Sequence, residues 1–585
     1  MMRARMLLAA CALGLAGIVQ AQEQVIFAAM QDELQRSMKE LRIAGQPAPY
    51  YIAYQVDELS ARRVTARLGE VTEDGSARNR TLRVEVRVGD YAFDSSRFVS
   101  LDRNAGLLAS ETLSAPLDDD YDVMRRQIWL LTDGAYKRAV KIFAAKKAAY
   151  QNRSPGELIA DFSKSAPVER LLAPVLPATA WTDWTERLRQ VSGAFLSTPD
   201  IMSSEVNLIE ERGRRYYLNS EGFRIMMPLG MAGLRVVADT QAEDGGSVRD
   251  YFEIFERTVA DMPSAQDLVA RTRALATRMD ALRTKKVGEE YTGPVLIEGR
   301  AGAELVALAL VPALLANRAP DTDTPALERV LQGAQSPFLS RIGSKVMSED
   351  LSVSDTPSLT QSGARPVPGA YELDDEGVPA QDVTLVEGGK LLTLLTSRVP
   401  QRNLPQSNGH GRGGAVQAGV VQVKSATAVS STQLKASYLA MLKTQGRPFG
   451  YIVRSLAAPG SLIGSADPGD IQILIGGQGG QGGPAGPLLP QLVKVTPDGS
   501  EEVVRGMRFG NLSPNLFRNV LGASQERELL TYRGNQTVSP FANSFGGRQV
   551  PVSVIAPAFI VDDLEIQRLV EVPQKLPVVP SPLKR

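Results

Sequence analysis

At 585 residues the chain is long enough for more than one domain, and its 65 basic side chains balance 65 acidic ones. Neutral bulk charge excludes a general attraction for nucleic acid. One cysteine, Cys11, and one histidine, His410, exclude a disulfide framework and leave little for thiol or imidazole chemistry.

The first 21 residues read as an export signal. Arg3 and Arg5 precede an apolar run from Met6 to Val19, and Val19-Gln20-Ala21 suits signal peptidase, so the mature chain is expected to begin near Gln22 and to be periplasmic. Leu8-Ala9-Ala10-Cys11 also looks like a lipoprotein box, but the apolar stretch before it is short and continues past it. No other run approaches the ~20 apolar residues of a membrane helix, so no transmembrane segment is expected.

The first domain is expected over 22–288. Met30, Leu34, Met38 and Leu41 share one helical face, and Tyr50 to Val56 reads as a strand that Val64 to Leu68 continues in the same sheet. Leu82, Val84, Val86 and Val88 alternate with Arg83, Glu85 and Arg87 as in a half-buried strand. Asp118-Asp119-Asp120 can cap a long helix, whose Lys137, Arg138, Lys141, Lys146 and Lys147 read as a solvated basic face. A helix over Trp181 to Phe195 is followed by β-runs at Glu205–Ile209, Arg215–Leu218 and Phe223–Met227, with a turn at Asn219-Ser220-Glu221-Gly222. A hairpin turning at Asp244-Gly245-Gly246 joins Leu234–Ala238 to Val248–Phe255. Ser264 and Asp267 then open a helix with Leu268, Leu275, Met279 and Leu282 on its buried stripe.

The second domain is expected over 289–566, before a Pro-rich tail at 567–585. It opens with a strand, Val295 to Ile297, and a nearly all-apolar helix, Ala301 to Leu315, which should be buried. An acidic Gly turn (Asp374, Asp375, Glu376, Gly377), a β-run from Asp382 to Glu387, a Gly388-Gly389 reversal and a second β-run from Leu391 to Thr396 lead to the loop Asn408-Gly409-His410-Gly411-Arg412. Gly477 to Gly482 satisfies G-x-G-x-x-G, yet Pro484 and Pro487 forbid the helix a phosphate site needs, so a mobile loop is expected there. Gln491–Val495 and Glu502–Arg508 form a hairpin about Pro497-Asp498-Gly499, and Ser513 can start a short helix.

Across the stretch Gly369 to Arg412, the order DDEG-x-P-x-Q, then L-x-E-x-G-x-L, an arginine, and N-G-x-G-R resembles the C-terminal domain of the TldD/PmbA (TldE) family of metallopeptidases and their inactive partners. The N-x-E-G at Asn219 resembles that family's N-terminal domain more loosely. The resemblance implies an α+β fold of two domains, each with a largely antiparallel sheet packed with helices. It also implies a pairing between a zinc-bearing subunit and an inactive one, here a Tld-type paralogue or a homodimer, acting on a peptide substrate.

In hydrolytic members the helix that opens the second domain carries His-Glu-x-x-x-His. The corresponding positions here are Ala307, Leu308 and Pro312, none of which can bind a metal or move a proton, and Glu304 is the helix's only ionisable side chain. The ligand count agrees independently: catalytic zinc takes three N, S or O ligands, usually including two histidines, and one histidine without a mature cysteine cannot supply them. No metal, other cofactor or catalytic residue is therefore expected. Carboxylate-only calcium or magnesium sites stay open, with Asp374-Asp375-Glu376 as the cluster to consider, though its adjacency favours a solvated turn. A Ser-His-Asp site would have to use His410, and no nucleophile-elbow pattern supports one.

Asn408, Gly409, His410 and Arg412 are the expected peptide contacts. The loop offers unhindered N–H groups and a guanidinium at the end of a β-run, as strand addition requires. The leading expectation is an exported, catalytically silent subunit shaping a peptide cleft for a zinc-bearing partner. The alternatives are a free-standing envelope peptide-binding protein and a peptidase with an unrecognised site.

Overall fold

The computed structural model describes residues 25–99, 110–151, 159–172, 181–324, 335–457, 488–534, 549–569 and 581–582. The expected signal (1–21), the glycine-rich loop after Ile475 and residues 570–580 and 583–585 of the Pro-rich tail lie outside the described residues, and 567–568 end a strand rather than begin the tail.

Alternating apolar positions build the first sheet, and its strands are longer than the sequence runs. β1 (Pro49–Arg67) and β2 (Glu70–Val88) form one hairpin, so Val64 to Leu68 is the far end of β1 and its turn. After β3 (Phe98–Val99), β4 (Ser110–Ser114) and β5 (Glu169–Leu171), the runs expected at Glu205–Ile209 and Arg215–Leu218 fuse into β6 (Ser203–Asn219). Those at Phe223–Met227 and Leu234–Ala238 likewise fuse into β7 (Arg224–Gln241), which pairs with β8 (Ser247–Glu256). Gly213 does not interrupt β6 because the strand needs it: a Cβ there would stand 1.8 Å from the Glu58 carbonyl oxygen on β1. The order is β4-β2-β1-β6-β7-β5, with β8 on the rest of β7.

One face of this sheet is covered by four helices. Ile52, Tyr54 and Val56 of β1 pack with α1 (25–40) and α2 (Tyr121–Gln151). Val64, Val206 and Leu234 pack with α3 (Trp181–Gly193) and α4 (Ala265–Leu282). The caps are local, with Asp120 Oδ1 accepting from Val123 N at 2.9 Å and Ser264 Oγ from Asp267 N at 3.1 Å. One base of the expected solvated face of α2 is misassigned: Lys137, Lys141 and Lys147 are exposed, but Lys146 is fully buried against Asp161 at 2.6 Å.

The second sheet begins with β9 (Tyr291–Ile297), and the long strand Pro551–Arg568 organises it. That strand pairs antiparallel with Val520–Arg533 and with β9, and parallel with Val420–Ser425, which leads outward through β11 (Leu351–Asp355). Pairing through Leu488–Val495 and Gly450–Ala457 returns to β9 and closes part of the sheet on itself. The fold is thus α+β with largely antiparallel sheets. Between the sheets, β3 pairs in parallel with β10 (Asp321–Thr322), a backbone link that ties the two halves of the chain together. No helix among the described residues is long and apolar enough to cross a membrane.

Candidate functional site at the junction of the two sheets

The apolar helix after β9 is not one regular helix. α5 (Gly299–Leu305) runs into a π turn over Val306–Leu310 and a 3₁₀ turn over Val311–Leu314. Pro312 contributes to the change, because it has no N–H to donate to the preceding turn. Ala307 is buried in the core, while Leu308 and Pro312 are half-buried. The one carboxylate, Glu304, meets Arg300 Nε at 2.7 Å and accepts from Leu456 N at 2.8 Å, and burial pushes its carboxyl upward. The side chains at Ala307, Leu308 and Pro312 carry no donor atom, so this helix does not fit a zinc ion.

The acidic turn is not solvated, which corrects the sequence reading. Asp374 is fully buried and accepts from the backbone N–H groups of Glu376 (3.0 Å), Val378 (2.8 Å) and Gly411 (2.9 Å). Burial and the neighbouring Glu376 raise its carboxyl well above the usual range. Burial works to raise Asp375 too, but Arg215 of β6 at 2.7 Å and Gly413 N at 2.6 Å outweigh it and hold that carboxyl low. Arg215 in turn grips Asp57 of β1 with two bonds of 2.7 Å. Gly377, at φ 84°, presses on the first sheet so closely that a Cβ would meet Phe223 Cδ1 at 2.5 Å. Adjacent carboxylates look solvated in sequence because they repel, whereas here a distant arginine and backbone donors satisfy them.

The arginine that follows the second β-run, Arg398, completes the junction. Its side chain is fully buried, with Nε and Nη2 donating to the Ser163 carbonyl at 3.0 and 2.6 Å and both terminal nitrogens within 2.7 Å of Glu221. Its backbone N–H donates to Glu376 Oε2 at 2.8 Å. The guanidinium lies 4.0 Å from the Phe162 ring centroid, and that of Arg87 lies 3.7 Å from the same ring. The two stretches that carry the sequence resemblance, around Asn219-x-Glu221-Gly222 and around the acidic turn, therefore meet in space. Sequence reasoning missed Arg398, Arg215 and Glu221 as one group; the presence of Glu221 in one motif and Arg398 in the other was the signal, and Arg215 lies outside both.

The loop expected to receive a peptide is built inward. Asn408 accepts from Thr396 N at 2.8 Å and donates to the Leu394 carbonyl at 3.0 Å. The Gly409 carbonyl accepts from the Tyr371 hydroxyl at 2.8 Å. His410 is fully buried, with Nδ1 2.9 Å from Asn408 Oδ1 and Nε2 3.5 Å from Asp355, and no serine hydroxyl among the described residues bonds it. Arg412 is buried, donating to the Ala418 carbonyl at 2.8 Å and stacking 4.0 Å from the Tyr371 ring centroid. The β-run is likewise shorter than expected, ending at Leu391, and the following backbone already bonds Leu385, Leu314 and Ala316. The guanidinium and the strand edge are both engaged within the protein. Arg412→Ala should lower unfolding free energy by about 1.5–3 kcal/mol, the scale of a charged hydrogen bond. Chemical denaturation of both proteins measures it, and an unchanged midpoint would restore the surface reading.

Among the described residues, no group of three or more His, Cys, Asp or Glu side chains is placed to hold a metal ion. The junction's chemistry is adhesive: it locks two sheets in one relative position.

Residues 290–467 match the family model described as PmbA/TldA metallopeptidase C-terminal domain. No curated protein sequence matches the chain. Among the solved structures that resemble it are three, each with 92% of this chain and 99% of the other covered. They are a putative modulator of a DNA gyrase from Thermotoga maritima MSB8 (TM-score 0.56, 13% identity), TldE from Thermococcus kodakarensis (0.55, 14%) and a putative modulator of DNA gyrase from Bacteroides thetaiotaomicron VPI-5482 (0.53, 11%). The matched residues contain the motif stretch Gly369 to Arg412, so that part of the chain is similar to the PmbA/TldA C-terminal domain, and the chain as a whole shares the fold of those three structures.

Proposed function

We propose that the chain is an exported, non-catalytic TldD/PmbA-family subunit that shapes a peptide cleft for a zinc-bearing partner of the same fold. The observation that carries this reading is the contrast within the second domain. The family's motif residues form a buried, ion-paired junction, while the helix that bears the zinc ligands in hydrolytic members has Ala307, Leu308 and Pro312 in their place. A chain that keeps the architecture and lacks the donors suits a role in positioning a substrate rather than cleaving it. The likeness in fold to TldE from Thermococcus kodakarensis supports the same reading. Export rests on Arg3, Arg5, the apolar run to Val19 and the Val19-Gln20-Ala21 site.

The test is reconstitution. The protein isolated from the cell envelope should begin near Gln22 by N-terminal sequencing, and alone it should not hydrolyse an unstructured peptide library. Mixed with a zinc-bearing Tld-type subunit from the same cell, it should raise turnover at least tenfold over that subunit alone. Zinc-dependent hydrolysis by the isolated chain, or a partner rate that does not change on mixing, would overturn the proposal.

A further inference from the structure

The first domain leaves apolar side chains exposed on one helix. Among the described residues fourteen large apolar side chains stand exposed, and five of them fall between Leu113 and Leu130. Single exposed apolar residues need no explanation, but five within so short a stretch mark an interaction surface. Three of the five, Val123, Trp129 and Leu130, belong to α2, where Leu130 is 50% exposed and Trp129 42%. The inner side of α2 is well covered, with Met124, Ile128, Leu131, Ala135 and Ala139 buried against the first sheet. At 3.6 residues per turn, residues 122, 126, 130, 133 and 137 lie on the face pointing away from that core. Four of these are exposed, and Asp133 is half-buried.

The charges on the same face select what covers it. Read along the helix, the face is Asp122, Arg126, Leu130, Asp133 and Lys137, that is negative, positive, apolar, negative, positive. Turned end for end, the order becomes positive, negative, apolar, positive, negative. When two such faces pack antiparallel, each charge therefore meets its opposite and Leu130 meets Leu130. Packed parallel and in register, every charge would meet its like. Asp133 and Lys137 already pair along the helix at 2.6 Å, so the facing Arg126 and Asp122 extend that pair into a network.

We propose that the outward face of α2 is a contact between two copies of this chain, packed antiparallel about a two-fold axis that passes beside Leu130. A two-fold contact uses the same patch on both sides, so the patch must complement itself, and this charge order does so about a single apolar residue. Leu130, with Trp129 and Val123 beside it, supplies the part of the contact that loses its water, and the four charged side chains form the rim that fixes register. A partner of different sequence would not require such symmetry. The contact is separate from the proposed pairing with a zinc-bearing subunit and stands whether or not that pairing occurs.

Sedimentation equilibrium of the purified chain tests it, and wild type should be a dimer at micromolar concentration. Leu130→Asp sets two carboxylates against each other on the axis and should weaken dimerisation at least tenfold. Because Leu130 is exposed, the variant should fold with the circular dichroism of wild type. Asp122→Lys and Lys137→Asp should each weaken the dimer as well, since each places like charges opposite one another. The chain carrying both changes has opposite charges facing again and should recover most of the lost affinity, a rescue that a misfolded variant could not give. A wild-type chain that stays monomeric, a dimer that Leu130→Asp leaves intact, or a double variant no better than either single one would overturn the contact. So would a chain that is monomeric alone and uses Leu130 only to bind a Tld-type subunit or a lipid vesicle.

Discussion

Arg398→Ala should destabilise the protein by about 3–5 kcal/mol, the cost of removing one partner from a buried charged pair. Among the described residues the deletion leaves Glu221 with the Tyr91 hydroxyl at 2.7 Å as its side-chain donor, and the Ser163 carbonyl loses two donors. It also removes the cation from one side of Phe162 while Arg87 stays on the other. Arg398→Lys keeps the charge but presents one ammonium instead of a planar fork, so it should recover only part of the loss. Urea unfolding measures both variants, and calorimetry adds a structural readout. If Arg398 fastens the first sheet to the second, Arg398→Ala should split one transition into two. A loss below about 1 kcal/mol would show that the junction holds without it.

What was legible in the sequence was local, and what was not was the long-range pairing. The turn at Asn219, the Ser264 cap and the Gly388-Gly389 reversal all come from side chains acting within four residues, and the structure has each of them. The buried stripe of α4 was equally clear from its spacing. The fusion of two runs into β6 was not legible, because the missing Cβ of Gly213 serves the Glu58 carbonyl on a distant strand. Lys146 and the acidic turn misled for a related reason. A charged side chain is solvated unless something distant satisfies it, and neither Asp161 for Lys146 nor Arg215 for Asp375 can be seen in a local window. The family resemblance marked Asn408, His410 and Arg412 as a loop, and only the fold shows that their side chains bond within the protein.

Glu253→Gln should stabilise the protein increasingly as pH rises. Glu253, on β8, is 6% exposed, and burial pushes its carboxyl up to about 8 despite Arg235 at 4.0 Å and the fields of Arg300 and Arg533. The unfolded chain binds this proton with a pKa of about 4.3. Because the folded value is the higher one, the carboxyl's contribution to stability is complete below about pH 4.3 and is lost as pH rises through 8. At about 1.4 kcal/mol per pKa unit, the loss by pH 9 is on the order of 3–5 kcal/mol. Glutamine has nearly the same shape and no proton to lose, so the variant should match wild type at pH 4 and exceed it by that amount at pH 9. Other buried carboxyls shift the same way, among them Glu256, raised to about 7, and Asp250, so the absolute pH profile reports several groups together. The difference between wild type and variant isolates one. Urea unfolding at pH 5, 7 and 9 measures it, and a gap that stays constant with pH would show that Glu253 is not protonated in the folded protein. A gap that opens with pH would further mean that the β8–α5 contact, where Arg300 Nη1 donates to the Glu253 carbonyl at 3.4 Å and bonds Glu304 on its own helix, is the part of the junction weakened by alkali.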